Sequence, residues 1–190
     1  MTKNHIYFFI FSLTFLADLF LSQRSRGREH NSNDFTNLSV NRTIFLKNSV
    51  TIIESYLQIK SLKVDPLYSY RYAILKNNSK HLINISAKLI NTQNENEEIK
   101  LKISKQSYVN DDTFDFYEIN FKNEPINYEE ERFIYISEDY YERLEMLPKK
   151  IGLRDNQYVV FKDTINQVSF YQTNNQIVDV MMEKAKTEVV

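Results

Sequence analysis

An all-β fold, an antiparallel β-sandwich of about seven or eight strands behind an N-terminal signal segment, is what this sequence predicts. Apolar residues recur with period two through most of the chain, and β-rich runs follow one another at intervals of roughly ten residues. Thirteen Tyr and thirteen Phe supply large core side chains, while two Gly and three Pro leave little material for loop-rich architecture.

Residues 1–22 read as a signal peptide. Lys3 and His5 lead into the apolar run Ile6–Leu16, which stops at Ala17 and Asp18. A spanning helix needs about 20 apolar residues, so the run favours a cleaved secretory signal over an anchor. Arg24, Arg26 and Arg28 beyond it, and Phe15 and Phe20 before the candidate cleavage positions, depart from the usual signal pattern. Residues 23–40 are polar and read as a linker, and 41–179 as the lumenal sandwich domain.

Within that domain Val50–Ile59 is the first long candidate strand. Ile53, Tyr56 and Leu57 also fit one helical face, but the β-branched content tips the segment to strand. Tyr68–Leu75 follows. Ile83, Ile85, Ala87 and Leu89 alternate with polar residues, as do Ile99, Leu101 and Ile103, and the polar stretch Asn91–Glu98 joins them as a hairpin. Thr113–Phe121 is aromatic on both faces and is expected near the sheet centre or beside a second sheet. Arg132–Ser137, Gln157–Phe161 and Val168–Gln172 complete the strands. Asp139–Leu147 reads as helical or turn-like, ended by Pro148, and 180–190 as a helix-capable C-terminal tail.

Charge and composition remove several function classes. A net charge of -1 gives no field favouring nucleic acid or an acidic membrane. With no cysteine there is no disulfide framework, thiolate nucleophile or Cys-ligated metal. The three histidines, His5, His30 and His81, form no pair at metal-ligand spacing, and Gly27 and Gly152 cannot build a phosphate loop. No nucleophile elbow supports a Ser-His-Asp set, so no catalytic, cofactor-binding or metal-binding residue is assigned. Asn110-Asp-Asp112 with Asp115 has the charge to attract calcium but lacks the glycine and terminal glutamate of an EF-hand loop, and reads more simply as a solvated turn. The acidic runs Glu95–Glu98 and Glu129–Glu131 read likewise. Tyr68, Tyr70, Tyr72 and Tyr140-Tyr141 would suit a carbohydrate or peptide platform, although core packing explains them more simply. If the chain enters the secretory pathway, Asn37, Asn41, Asn77 and Asn84 each head an Asn-x-Ser/Thr acceptor triplet for N-glycosylation.

The order of Asn41–Leu46, Val50–Glu54, Phe133–Ile136, Leu147-Pro148, Asp155–Phe161 and Val168–Gln172 resembles the N-terminal lumenal region of the ribophorin I family, subunit 1 of the oligosaccharyltransferase, over about residues 41 to 177. The resemblance implies a non-catalytic subunit, or fragment of one, in the dolichyl-diphosphooligosaccharide-protein glycosyltransferase complex. Such a subunit supports N-linked glycosylation of nascent proteins in the endoplasmic reticulum. It further implies a lumenal, membrane-associated location, other subunits and the nascent polypeptide as partners, no nucleic acid and no cofactor. No later apolar run of spanning length follows Tyr171, so the chain reads as a truncated member whose membrane attachment would need the uncleaved N-terminal run or a partner subunit of the complex. The alternative, by fold-level analogy alone, is a secreted or surface β-sandwich binding or adhesion protein.

Overall fold

The computed structural model describes residues 30–47, 50–90, 98–107, 111–121, 124–147, 158–161, 163 and 168–182. The expected signal segment, the 91–97 part of the acidic loop and the end of the tail lie outside them. In chain order the elements are β1 (Phe35–Lys47), β2 (Val50–Ser61), β3 (Ser69–Leu75), the one-turn helix α1 (Lys76–Ser79), β4 (Leu82–Ile90), β5 (Glu98–Lys105), β6 (Phe114–Asn120), β7 (Glu131–Tyr141), β8 (Leu144–Leu147), β9 (Tyr158–Phe161), β10 (Gln172–Thr173) and β11 (Gln176–Met182).

All-β is therefore right, but the architecture is a single curled, mixed sheet rather than two stacked antiparallel ones. Nine strands run in the order β10-β1-β2-β7-β4-β5-β6-β3, with β11 also paired to β1, and β8 and β9 form a separate two-stranded ladder. The corner is β5. Its first half, Glu98–Leu101, pairs with β4, and its second half, Lys102–Lys105, pairs with β6. One strand thus carries the hydrogen-bonded ladder from one layer into the other, so period-two patterning, which is the same in a sandwich and a curled sheet, cannot tell them apart. The sheet is mixed because β10 and β11 both run parallel to β1.

Curling puts strands from opposite ends of the path into one core. Leu57 and Ile59 of β2, Ile134 and Ile136 of β7, and Ala87 and Leu89 of β4 pack with Tyr70, Tyr72 and Ile74 of β3 and Ile119 of β6. Phe35 of β1 and Tyr70 of β3 lie 5.6 Å apart between ring centroids, and Tyr171 closes the group at 5.2 Å from Phe35 and 4.8 Å from Tyr70. Each such contact contributes about 0.5–1.5 kcal/mol beyond area burial. Ser169 bridges to Tyr72 on β3 while Thr36 pairs with Gln172 of β10, so the segment 169–173 spans the two ends of the sheet.

Four local expectations are corrected. The sheet starts at Phe35, inside the segment expected as linker. A register shift between Asn37 and Ser39 moves the buried positions from 35 and 37 to 40, 42, 44 and 46, which hides the alternation. Asp139–Leu147 is not helical: β7 continues to Tyr141 with Tyr140 turned inward, Glu142 takes φ 50° in a turn, and β8 begins at Leu144. Val168–Gln172 is a bridge and a cap rather than a full strand, its aromatics being used to cover the sheet end. The domain boundary at 179/180 falls within β11, which pairs residue by residue with Val40–Leu46. Both faces of β6 are covered, as its aromatic pattern requires: Tyr117 and Ile119 enter the main core, and Phe114 and Phe116 pack under Val168 and Phe170.

Candidate functional site

Register separates the four acceptor asparagines. Asn37 is fully buried: Tyr70 donates its hydroxyl to Asn37 Oδ1 at 2.9 Å, and Asn37 Nδ2 donates to Ser169 Oγ at 2.7 Å and Thr173 Oγ1 at 3.1 Å. Asn41 is exposed on the outer face of β1, Asn77 is exposed on α1, and exposed Asn84 donates to Asp139 Oδ2 at 3.2 Å across the β4–β7 ladder.

Of the histidines, His5 lies outside the described residues. His81 packs edge-on against Tyr141 at 5.5 Å. The His30 side chain is 7% exposed, with Ser69 Oγ at 3.2 Å and Glu118 Oε1 at 3.7 Å, both on Nε2, and Tyr171 OH at 3.3 Å on Nδ1. A hydrolytic relay sets hydroxyl and carboxylate on opposite ring nitrogens. Here they share one, and the other meets a tyrosine. Burial, aided by the Arg71 charge, depresses the imidazole pKa against the pull of Glu118. Arg71 itself is buried, its guanidinium 4.7 Å from the Phe170 ring centroid and 5.5 Å from that of Phe116.

A second polar cluster joins the layers. Arg42 on β1 meets Asp163 at 2.9 Å, Arg143 meets the same carboxylate at 3.4 Å, and Asn78 of α1 donates to it at 3.3 Å. Nearby Glu138 of β7 is buried and accepts hydrogen bonds from Tyr72 and Tyr140. Burial pushes the Glu138 pKa up, and Arg42 opposes the shift. The acidic residues flagged near Asp112 are engaged locally: Asp111 accepts the backbone N–H of Thr113 and Phe114 at 2.8 Å each, and Asp115 pairs with Lys105 at 2.6 Å. Asn110 lies outside the described residues. No group of three metal-ligating side chains occurs among the described residues.

Tyr70, Tyr72 and Tyr140 are core residues, whereas Tyr68 and Tyr141 are exposed. Sequence reasoning missed one outer-face aromatic pair, exposed Tyr56 on β2 and half-buried Tyr135 on β7, with ring centroids 4.9 Å apart and Lys88 Nζ 5.7 Å from the Tyr135 ring. Burial and a hydrogen bond to Glu54 push the Tyr135 pKa up to about 12. Only the β2–β7 register reveals the pair, because 79 positions separate the two residues (135 − 56).

An open cleft of about 680 Å³ lies beside the β5 corner. Leu89, Ile99, Leu101 and Phe121 are its apolar lining residues, and Lys100, Lys102, Glu118 and Glu124 its charged ones. Such a volume with an apolar floor and a mixed polar rim suits insertion of side chains from a partner.

A family model described as ribophorin I matches residues 35–190, beginning at the first residue of β1. The chain belongs to the ribophorin I family. Membership implies a role as a subunit of the oligosaccharyltransferase complex of the endoplasmic reticulum. No curated protein matches the chain significantly. Among solved structures, an M1 zinc metallopeptidase from Deinococcus radiodurans is similar at 9% identity and TM-score 0.40, over 65% of this chain and 23% of that one. Leukotriene A4 hydrolase from Saccharomyces cerevisiae is similar at 16% identity and TM-score 0.41, over 72% of this chain and 21% of that one. The ribophorin I chain thus spans less than a quarter of the length of either structure.

Proposed function

We propose that this ribophorin I chain is a non-catalytic, lumenal module of the oligosaccharyltransferase complex that positions neighbouring subunits and the nascent polypeptide through surface contact. The observation that carries the reading is the family match, which spans the whole described sheet. Two features support it physically. The β5 cleft offers apolar surface within a charged rim, the composition of a partner-contact surface rather than of a reaction centre. The polar clusters around His30 and Glu138 are enclosed by the fold and tie strands together. Among the described residues no helix is long and apolar enough to cross a membrane, and attachment through the complex is part of the proposal.

Affinity purification of a tagged chain from detergent-solubilised endoplasmic-reticulum membranes tests this. Stoichiometric recovery of the polytopic catalytic subunit is expected, with at least tenfold less recovered by Leu101→Asp, which charges the cleft. Recovery of the chain as a free secreted monomer contradicts the reading.

A further inference from the structure

We propose that Asn41 carries an N-linked glycan whose first sugar lies on Tyr56 and Ile177, the exposed residues flanking it on the outer face of the sheet. The inference rests on the lumenal reading above and adds which acceptor is used and what covers this face.

Asn41 and Thr43 are two apart on β1, so both project to the same side while Arg42 between them turns inward and is buried. That side is the outer one. In register, Asn41 lies opposite Tyr56 on β2 and beside Ile177 on β11. Directly paired residues hold their Cβ atoms about 4.5–5.5 Å apart, within reach of an asparagine-linked sugar. Tyr56 is 46% and Ile177 50% exposed, so two large apolar surfaces stand open to water on either side of one acceptor amide. Tyr135 packs at a tilt against Tyr56, their centroids 4.9 Å apart, and braces its ring. The C–H face of an N-acetylglucosamine ring is apolar, and an aromatic ring next to the attachment atom gives it a surface to cover. The sequon and the apolar bed are independent observations that meet at one residue.

Transfer precedes folding, because β1 is paired on both sides once the sheet forms. Asn41 Nδ2 attacks C1 of a lipid-diphosphate-linked oligosaccharide; the N–C1 bond forms, the C1–O bond breaks, lipid diphosphate leaves with the electron pair, and the amide proton passes to a base. The strand then closes with the sugar already outside. At Asn37 the same bond is incompatible with the native state, since its amide is fully buried and donates two core hydrogen bonds.

The test expresses the full chain behind a heterologous cleavable signal in a eukaryotic secretory host, so that lumenal entry does not depend on joining the complex. Peptide mass spectrometry after enzymatic deglycosylation in heavy-oxygen water reads each site, and nuclear Overhauser contacts read the sugar. The expected result is Asn41 occupied and Asn37 empty in folded protein, one gel-mobility step lost in Asn41→Gln, and contact between the Tyr56 ring and the N-acetyl methyl. Enzymatic glycan removal then lowers the melting temperature by about 2–4 °C in the wild type and not in Tyr56→Ala. An empty Asn41, whether or not Asn77 and Asn84 are occupied, overturns the proposal. An occupied Asn41 whose sugar makes no contact with Tyr56 overturns it too.

Discussion

Arg42 is the residue on which most of the buried polar structure converges, since it faces Asp163 at 2.9 Å and lies beside the Glu138 cluster. Removing Arg42 strips the buried Asp163 carboxylate of its nearest partner but leaves it Arg143 and Asn78, so the cost is expected at about 1–3 kcal/mol, below that of an unpaired buried charge. Arg42→Ala is therefore expected to lower the unfolding free energy measured in urea clearly, whereas Lys60→Ala, on the partly exposed outer side of β2, is expected to change it by at most about 0.5 kcal/mol. Equal small effects would mean the pair is not enclosed. His30 gives a pH prediction. Its folded pKa lies below the ordinary imidazole value of 6.5, so as pH falls through 6.5 the unfolded chain takes up the proton first. The stability His30 contributes is present above 6.5 and is lost progressively as pH falls toward the folded pKa. Subtracting urea curves of His30→Asn from wild type between pH 8 and 5 should isolate this decline; a difference that is flat with pH would contradict the burial of His30.

Legibility from sequence differed between elements for physical reasons. β2 and β5 were readable because each keeps its alternation with one apolar face, whereas β3, β4 and β6 were readable through their β-branched and aromatic content, and the helix alternative for Val50–Ile59 failed against β-branched content. β1 was misread in its first half because the shift after Asn37 breaks its period, and β11 because its partner strand begins more than a hundred residues earlier and runs parallel to it. The curl was not legible at all, since β5's change of partner leaves no mark on its own alternation. The buried roles of Tyr70 and Tyr72 were readable as core packing, but the Tyr56–Tyr135 pair needed register. Hydrogen exchange should rank the elements accordingly. Amides of β2 and β7, paired on both sides, are expected to exchange slowest, and those of β10 and α1 fastest. Faster exchange in β7 than in β10 would refute the strand order.

At the scale of the molecule, the two ends of the described chain meet, β1 being flanked by β2 on one side and by β10 and β11 on the other. Deleting residues 176–190 would leave Val40–Leu46 with an unpaired edge and uncover Ile44 and Leu46, a template for intermolecular pairing. The deletion is expected to lower soluble yield and add a concentration-dependent aggregate in light scattering; an unchanged monomer would show that β11 is dispensable. The larger claim is that a curled sheet with its reactive side chains enclosed works in the oligosaccharyltransferase by contact through the β5 corner. Cross-linking mass spectrometry of the solubilised complex with an amine-reactive reagent tests that claim most directly, because Lys100 and Lys102 are exposed at the cleft. Cross-links from these two lysines to other subunits are expected. If they link only within the chain while lysines elsewhere on the sheet reach neighbouring subunits, contact through this corner is contradicted.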